Sequence, residues 1–245
     1  MTTPNKEDLL DRVRKLLAKA EDEGCTPAEA EALTAKASEL MARYGIERAQ
    51  IGALHPETDK PGSKIFDIPN PWGKVKAHLL AGLASAMRGQ CVLLGAKDGA
   101  VRLHVFAYSS DIERTEMMWT SLLVQMQRAL AQEQVPVAGS RVKAWRRSWM
   151  LGYATAVVVR VRAAEAAAVK QADADGAGAG GKSTALVLTD RSARVGLAVK
   201  EAYPWTRPAR ATYSGTGYRD GHSAGQRADI GGAKVGAGSA GAISR

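Results

Sequence analysis

The chain has 245 residues and a formal charge of +9, from 34 Lys+Arg against 25 Asp+Glu. Its 45% hydrophobic content is enough for a buried core, yet no uncharged apolar run reaches the ~18 residues of a membrane helix, so no membrane partner is expected. The opening MTTPNKEDLLDRVRK lacks the apolar centre of a secretion signal, and Cys25 and Cys91 stand far apart with no paired spacing, which predicts a reduced, cytoplasmic protein with no cofactor.

Residues 1–50 read as a helical hairpin. Leu9, Leu10, Val13, Leu16, Leu17 and Ala20 recur at helical spacing and form one apolar stripe. The second helix opens with Thr26 as cap, Pro27 at the first helical position and Glu29 completing a capping box. Its inner face is Leu33, Ala37, Leu40, Met41 and Tyr44, and Gly45 is a natural stop. So little apolar area must dock on a larger body or stand as a satellite domain.

Residues 51–64 read as a polar linker broken by proline and glycine. Residues 65–230 then form an α+β domain. IFDIP is a short strand, and PWGKVKAHLLAGLASAMRG is a helix. CVLLGAKDGAVRLHVFAYS gives two strands turning at Lys97-Asp98-Gly99, the second alternating Val101, Leu103, Val105 and Ala107 with Arg102, His104 and Phe106. Ser110 or Asp111 caps a long helix whose buried stripe is Trp119, Leu122, Leu123, Met126 and Leu130. A further helix begins near Ser140, and its middle, WMLGYATAVVV, is apolar on nearly every side and needs burial between other elements. A Gly/Ala-rich break near 172–183 precedes TALVL, read as a strand, and DRSARVGLAVKEAYP, read as a helix. RATYSGTGYRDGHSAGQRADI closes the ordered part, and 231–245 is expected to be a disordered tail. The fold class is therefore α+β, mainly helical, with a small antiparallel sheet.

The break contains Gly176 through Ser183, which fits G-x-x-x-x-G-K-S, the phosphate loop of nucleotide hydrolases. That loop requires a strand before it and a helix after it. Here the expected order is helix before and strand after, so the match is read as a linker.

The order of small, large and capping residues in VRKLLAKAEDEGCTPAEAEALTAKASELMARYGI, residues 13–46, resembles the domain of unknown function 2786 family. VFAYSSDIERTEMMW, RVKAWRRSWMLGYATAVVVRV, EAYPWTR and YRDGHSAGQRADI resemble the carboxyl-terminal companion region of such proteins. The resemblance implies an intracellular setting in phages, prophages or actinobacterial genomes, and it brings no established activity and no catalytic residues.

Charge separates along the chain. Residues 134–245 hold 17 Lys+Arg against 7 Asp+Glu, the footprint of a protein that meets a polyanion. Arg141, Lys143, Arg146 and Arg147 crowd one helix opening, and Arg207, Arg210, Arg219 and Arg227 interleave with Trp205, Tyr213 and Tyr218. Arginine suits phosphate, and exposed aromatics stack on unpaired bases. Trp145 and Trp149 fall at core spacing and read as packing residues. Arg160 shares the wheel sector of Trp149 and Tyr153, so it is either buried with an anion or lines a groove. These residues predict DNA or RNA binding. Two other readings stand beside it: a protein-interaction module that docks a host or phage partner through the hairpin, and a hydrolase using His222 with Asp220. No metal-ligand spacing occurs among His55, His78, His104 and His222.

Overall fold

The computed structural model describes residues 6–20, 22, 27–98, 100–176, 178–207 and 214–228. In chain order these give α1 (Lys6–Ala20), α2 (Pro27–Leu54), β1 (Pro61–Pro69), α3 (Gly73–Ala86), β2 (Gln90–Lys97) and β3 (Ala100–Tyr108). Four helices follow: α4 (Ser109–Gln132), α5 (Arg141–Ala174), α6 (Thr184–Ala202) and α7 (Tyr218–Arg227). The α+β class, mainly helical with one small sheet, is observed.

The three strands form an antiparallel sheet ordered β1-β3-β2. Pairing of β1 with β3 runs from Pro61 opposite Tyr108 to Pro69 opposite Ala100. The β2–β3 hairpin slips between Leu93 and Gly95, and Gly95 takes a φ of 96°, a backbone that glycine adopts without steric cost. Alternation along β3 sends Val101, Leu103 and Val105 against Leu80 and Ala84 of α3. Phe106 and Tyr108 point the other way, where Val195 of α6 covers them. The central strand is thus buried on both faces.

The main core joins Val13 and Leu17 of α1, Ala37 and Met41 of α2, Leu79 and Leu83 of α3, Leu122 and Met126 of α4, and Trp145, Trp149 and Tyr153 of α5. The hairpin is therefore docked, with its apolar face spent in the shared interior. Trp145 and Trp149 are packing residues, 2% and 0% exposed.

Two expectations are overturned. Gly45 does not end α2, which continues to Leu54 and takes up the start of the segment read as a linker. The glycine serves instead as a close-approach site, because a Cβ there would fall inside the guanidinium of Arg114. TALVL is not a strand but the first turn of α6, with Ser183 as its cap accepting from the Leu186 amide at 3.3 Å. Its apolar residues are too few to pair with the sheet and lie instead at helical spacing, with Val187 and Leu188 buried beside Ala49 of α2.

Candidate functional site

Helices α5 and α7 lie side by side and run in the same direction. Gly217, Gly221 and Gly225 sit against the backbone carbonyls of Trp145, Trp149 and Tyr153 in turn, so that every fourth residue of α7 is a contact where a Cβ would collide. Ser148 Oγ accepts from the Gly217 amide at 3.0 Å, and Arg147 Nη2 donates to Ser214 Oγ at 3.1 Å. This pairing brings residues 141–147 and 214–219 to one end of the helix pair. Arg141, Lys143, Arg146, Arg219 and Arg227 are exposed, and none forms an ion pair among the described residues. Arg207 is exposed beside Trp205, which is 96% exposed. Arg210 and Tyr213 lie outside the described residues, as do Cys25 and the tail read at 231–245.

Arg160 is held by backbone carbonyls. Its Nη1 donates to the carbonyls of Gly225, at 3.1 Å, and Ala228, at the carboxyl end of α7, where the helix dipole favours a cation. It ties α7 down. Tyr218 stacks on His222, with ring centroids 6.1 Å apart. Asp220 is exposed and makes no hydrogen bond to His222 among the described residues, so no acid–imidazole pair is assembled there.

The buried ionic groups lie elsewhere, and sequence reasoning missed them. Asp59, Arg191, Asp111, Arg114, Glu165 and Arg88 form one alternating chain of three carboxylates and three guanidiniums. Arg191 Nη2 donates to Asp59 at 2.9 Å and to Asp111 at 3.0 Å, while Ser110 Oγ donates to Asp59 at 2.6 Å. Arg114 Nη1 donates to Asp111 at 2.9 Å and its Nη2 to Glu165, whose other oxygen takes Arg88 at 2.9 Å. Burial works against the charge of Arg114, but Glu165 and Asp111 outweigh it and raise its pKa above the ordinary arginine value. Arg88 is lowered by burial, with Glu165 opposing. Asp111, read with Ser110 as a possible cap of α4, lies instead in its first turn, with Tyr108 at the cap position, and is an interior ligand of two arginines.

Local structure sets these side chains. Arg88 ends α3 in the left-handed region, φ 69°, while the Gly89 amide bonds Ala84 and the Arg88 amide bonds Ser85. This terminating turn usually places glycine at that position. A side chain there costs about 1–2 kcal/mol, and the ion pair with Glu165 offsets that cost. Arg48 Nη2 donates to the Thr58 carbonyl at 2.5 Å and fixes the turn that presents Asp59.

The glycine-rich break sits at the rim of a cavity of about 160 Å³ between α2 and α6. A helix follows the loop, as a nucleotide loop requires, but a helix also precedes it, and the amide seats are taken. Asp173 Oδ1 accepts from the Thr184 amide at 2.6 Å, and Lys182 Nζ is held by Asp190 at 2.6 Å. The protein's own carboxylate thus takes the Thr184 amide, and helices on both sides depart from the strand-loop-helix order of a nucleotide cradle. Among the described residues no cluster of three or more His, Cys, Asp or Glu could hold a metal ion, and no helix is long and apolar enough to cross a membrane.

The model of the family described as Protein of unknown function (DUF2786) matches residues 8–48, a span that contains the stretch on which the resemblance rests. No curated protein and no solved structure matches the chain.

Proposed function

We propose that the protein binds DNA or RNA through phosphates, without strong base readout, at the amino end of α5 beside the start of α7. One observation carries this reading: Arg141, Lys143 and Arg146 stand exposed at a helix opening whose inner side is buried at Trp145, Ser148 and Trp149, with no carboxylate partner among the described residues. Arg219 and Arg227 extend the same charge along α7, and Arg147 is held against Ser214. Trp205, nearly free of contacts, offers a stacking surface next to Arg207. Arg160 acts as a positioning residue that fixes α7, and Tyr218 is stacked on His222 at the shared end. The resemblance of the later stretches to the companion region adds a cytoplasmic, mobile-element setting to the proposal. The partner-docking reading gains nothing from the fold, because the hairpin's apolar face is inside.

Phosphate contacts release counterions, so log affinity falls with log salt by about 0.9 per contact on duplex DNA and about 0.7 on single strands. A fluorescent oligonucleotide titrated between about 50 and 200 mM salt is expected to lose affinity steeply. The Lys143→Gln/Arg146→Gln variant removes two contacts and should lower the slope by about 1.5. Affinity that stays level across this range would exclude the reading.

A further inference from the structure

The cavity between α2 and α6 has a lining that the nucleic-acid reading does not use. Gly52 of α2, Tyr108, Lys182 and three residues of α6 (Asp190, Arg191 and Arg194) surround it. Arg191 is 95% buried, its guanidinium 3.5 Å from the centre of the Tyr108 ring. All its hydrogen bonds leave from Nη2, to Asp59, Ser110 and Asp111. Among the described residues Nε is sealed from water and has no hydrogen-bond partner. Nη1 is also without a hydrogen bond among the described residues, and it faces Gly52, where a Cβ would come to 3.5 Å from it.

An arginine has five donors, and buried donors left unmade are costly, so a half-used buried guanidinium needs an explanation. The neighbours supply one. Arg194, one turn further along α6, is exposed at the cavity and forms no ion pair among the described residues. Lys182 and Asp190 hold each other, which cancels their charges while leaving two ammonium protons of Lys182 free to donate. Donors therefore outnumber acceptors and one positive charge is uncompensated. The absence of a side chain on Gly52 keeps the approach to Nη1 open.

We propose that this cavity binds a small oxyanion, a phosphate group either free or carried on a small ester, with Arg191 Nη1 and Arg194 as its principal donors and Lys182 at the rim. The apolar wall of Val187 and Ala49 gives an ester substituent a surface to rest on. This site is separate from the α5–α7 surface.

Calorimetric titration of the full chain with inorganic phosphate, against chloride at matched ionic strength, tests the site. Saturable one-site binding is expected. It should weaken at least tenfold in Arg194→Gln, which touches no buried bond, and in Gly52→Leu, which fills the approach. The Lys143→Gln/Arg146→Gln variant should bind phosphate like the wild type. Tighter binding of phenyl phosphate than of phosphate would assign an ester, and equal binding the free ion. The proposal is overturned by the absence of saturable binding, by equal binding in Arg194→Gln, by acetate binding as tightly as phosphate, or by binding lost only in the Lys143/Arg146 variant. The last result would leave the nucleic-acid surface standing. Circular dichroism of each variant confirms its fold, and if Gly52→Leu fails to fold, Arg194→Gln alone decides.

Discussion

Cys91 stands near the start of β2, partly buried against the cluster that β1, α3 and β3 form. Burial pushes its thiol from 9.0 up to about 12. Because the thiolate is the reactive form, native Cys91 at pH 8 should react with a disulfide reagent on the order of a hundredfold more slowly than the urea-unfolded chain. The measurement needs a Cys25→Ser background, and equal rates would refute the burial. The pKa shift also acts on stability. A group whose pKa is raised by folding contributes fully below its unfolded value, so the contribution is intact below pH 9 and lost as pH climbs toward 12.

Helix α7 shows how glycine spacing builds an interface. Replacing Gly221 with alanine gains up to ~1 kcal/mol of helix propensity. The new methyl group would meet the Trp149 carbonyl, which is backbone and cannot turn aside. Overpacking of this kind typically costs 1–3 kcal/mol, so displacement wins. Gly221→Ala should raise amide exchange across residues 214–228 by about tenfold, whereas exposed Ser223→Ala should leave it unchanged; protection equal to wild type in Gly221→Ala would contradict the close packing. The hairpin was readable from its spacing, and so were the β2–β3 turn and the packing role of Trp145 and Trp149. The extension of α2 was hidden because glycine marks helix ends and tight crossings alike, and only a partner distant in sequence separates the two. The run TALVL has strand composition, and its helical state follows from the serine cap and from Asp173. The ionic residues also left a trace. Arg114 leads Met118, Leu122 and Met126, Glu165 follows Val157 and Val161, and Arg191 lies between Val187 and Val195, each at four-residue spacing on a buried stripe. A charged residue on such a stripe marks an interior ion, and pairing the three with one another required the fold.

At the scale of the molecule, the six-membered ionic chain crosses α3, α4, α5, α6 and the turn before β1, with no net charge of its own. Removing one partner of a buried pair strands the other, typically at a cost of 3–5 kcal/mol. Glu165→Gln leaves Arg88 without its carboxylate and Arg114 with Asp111 alone, so the urea midpoint should fall by an amount corresponding to about 3–5 kcal/mol. The loss should persist at high salt, since enclosed pairs are screened far less than surface ones; a loss that salt abolishes would place these charges in solvent. The notch at Gly45 carries a last consequence. Arg114, the plug that fills it, comes from outside the 8–48 span matched by the family model. The hairpin thus holds one half of a lock whose key is cut elsewhere in the chain. Any protein that borrows this hairpin in the same pose must bring a flat cation to the same socket, or leave the hollow for something else to occupy.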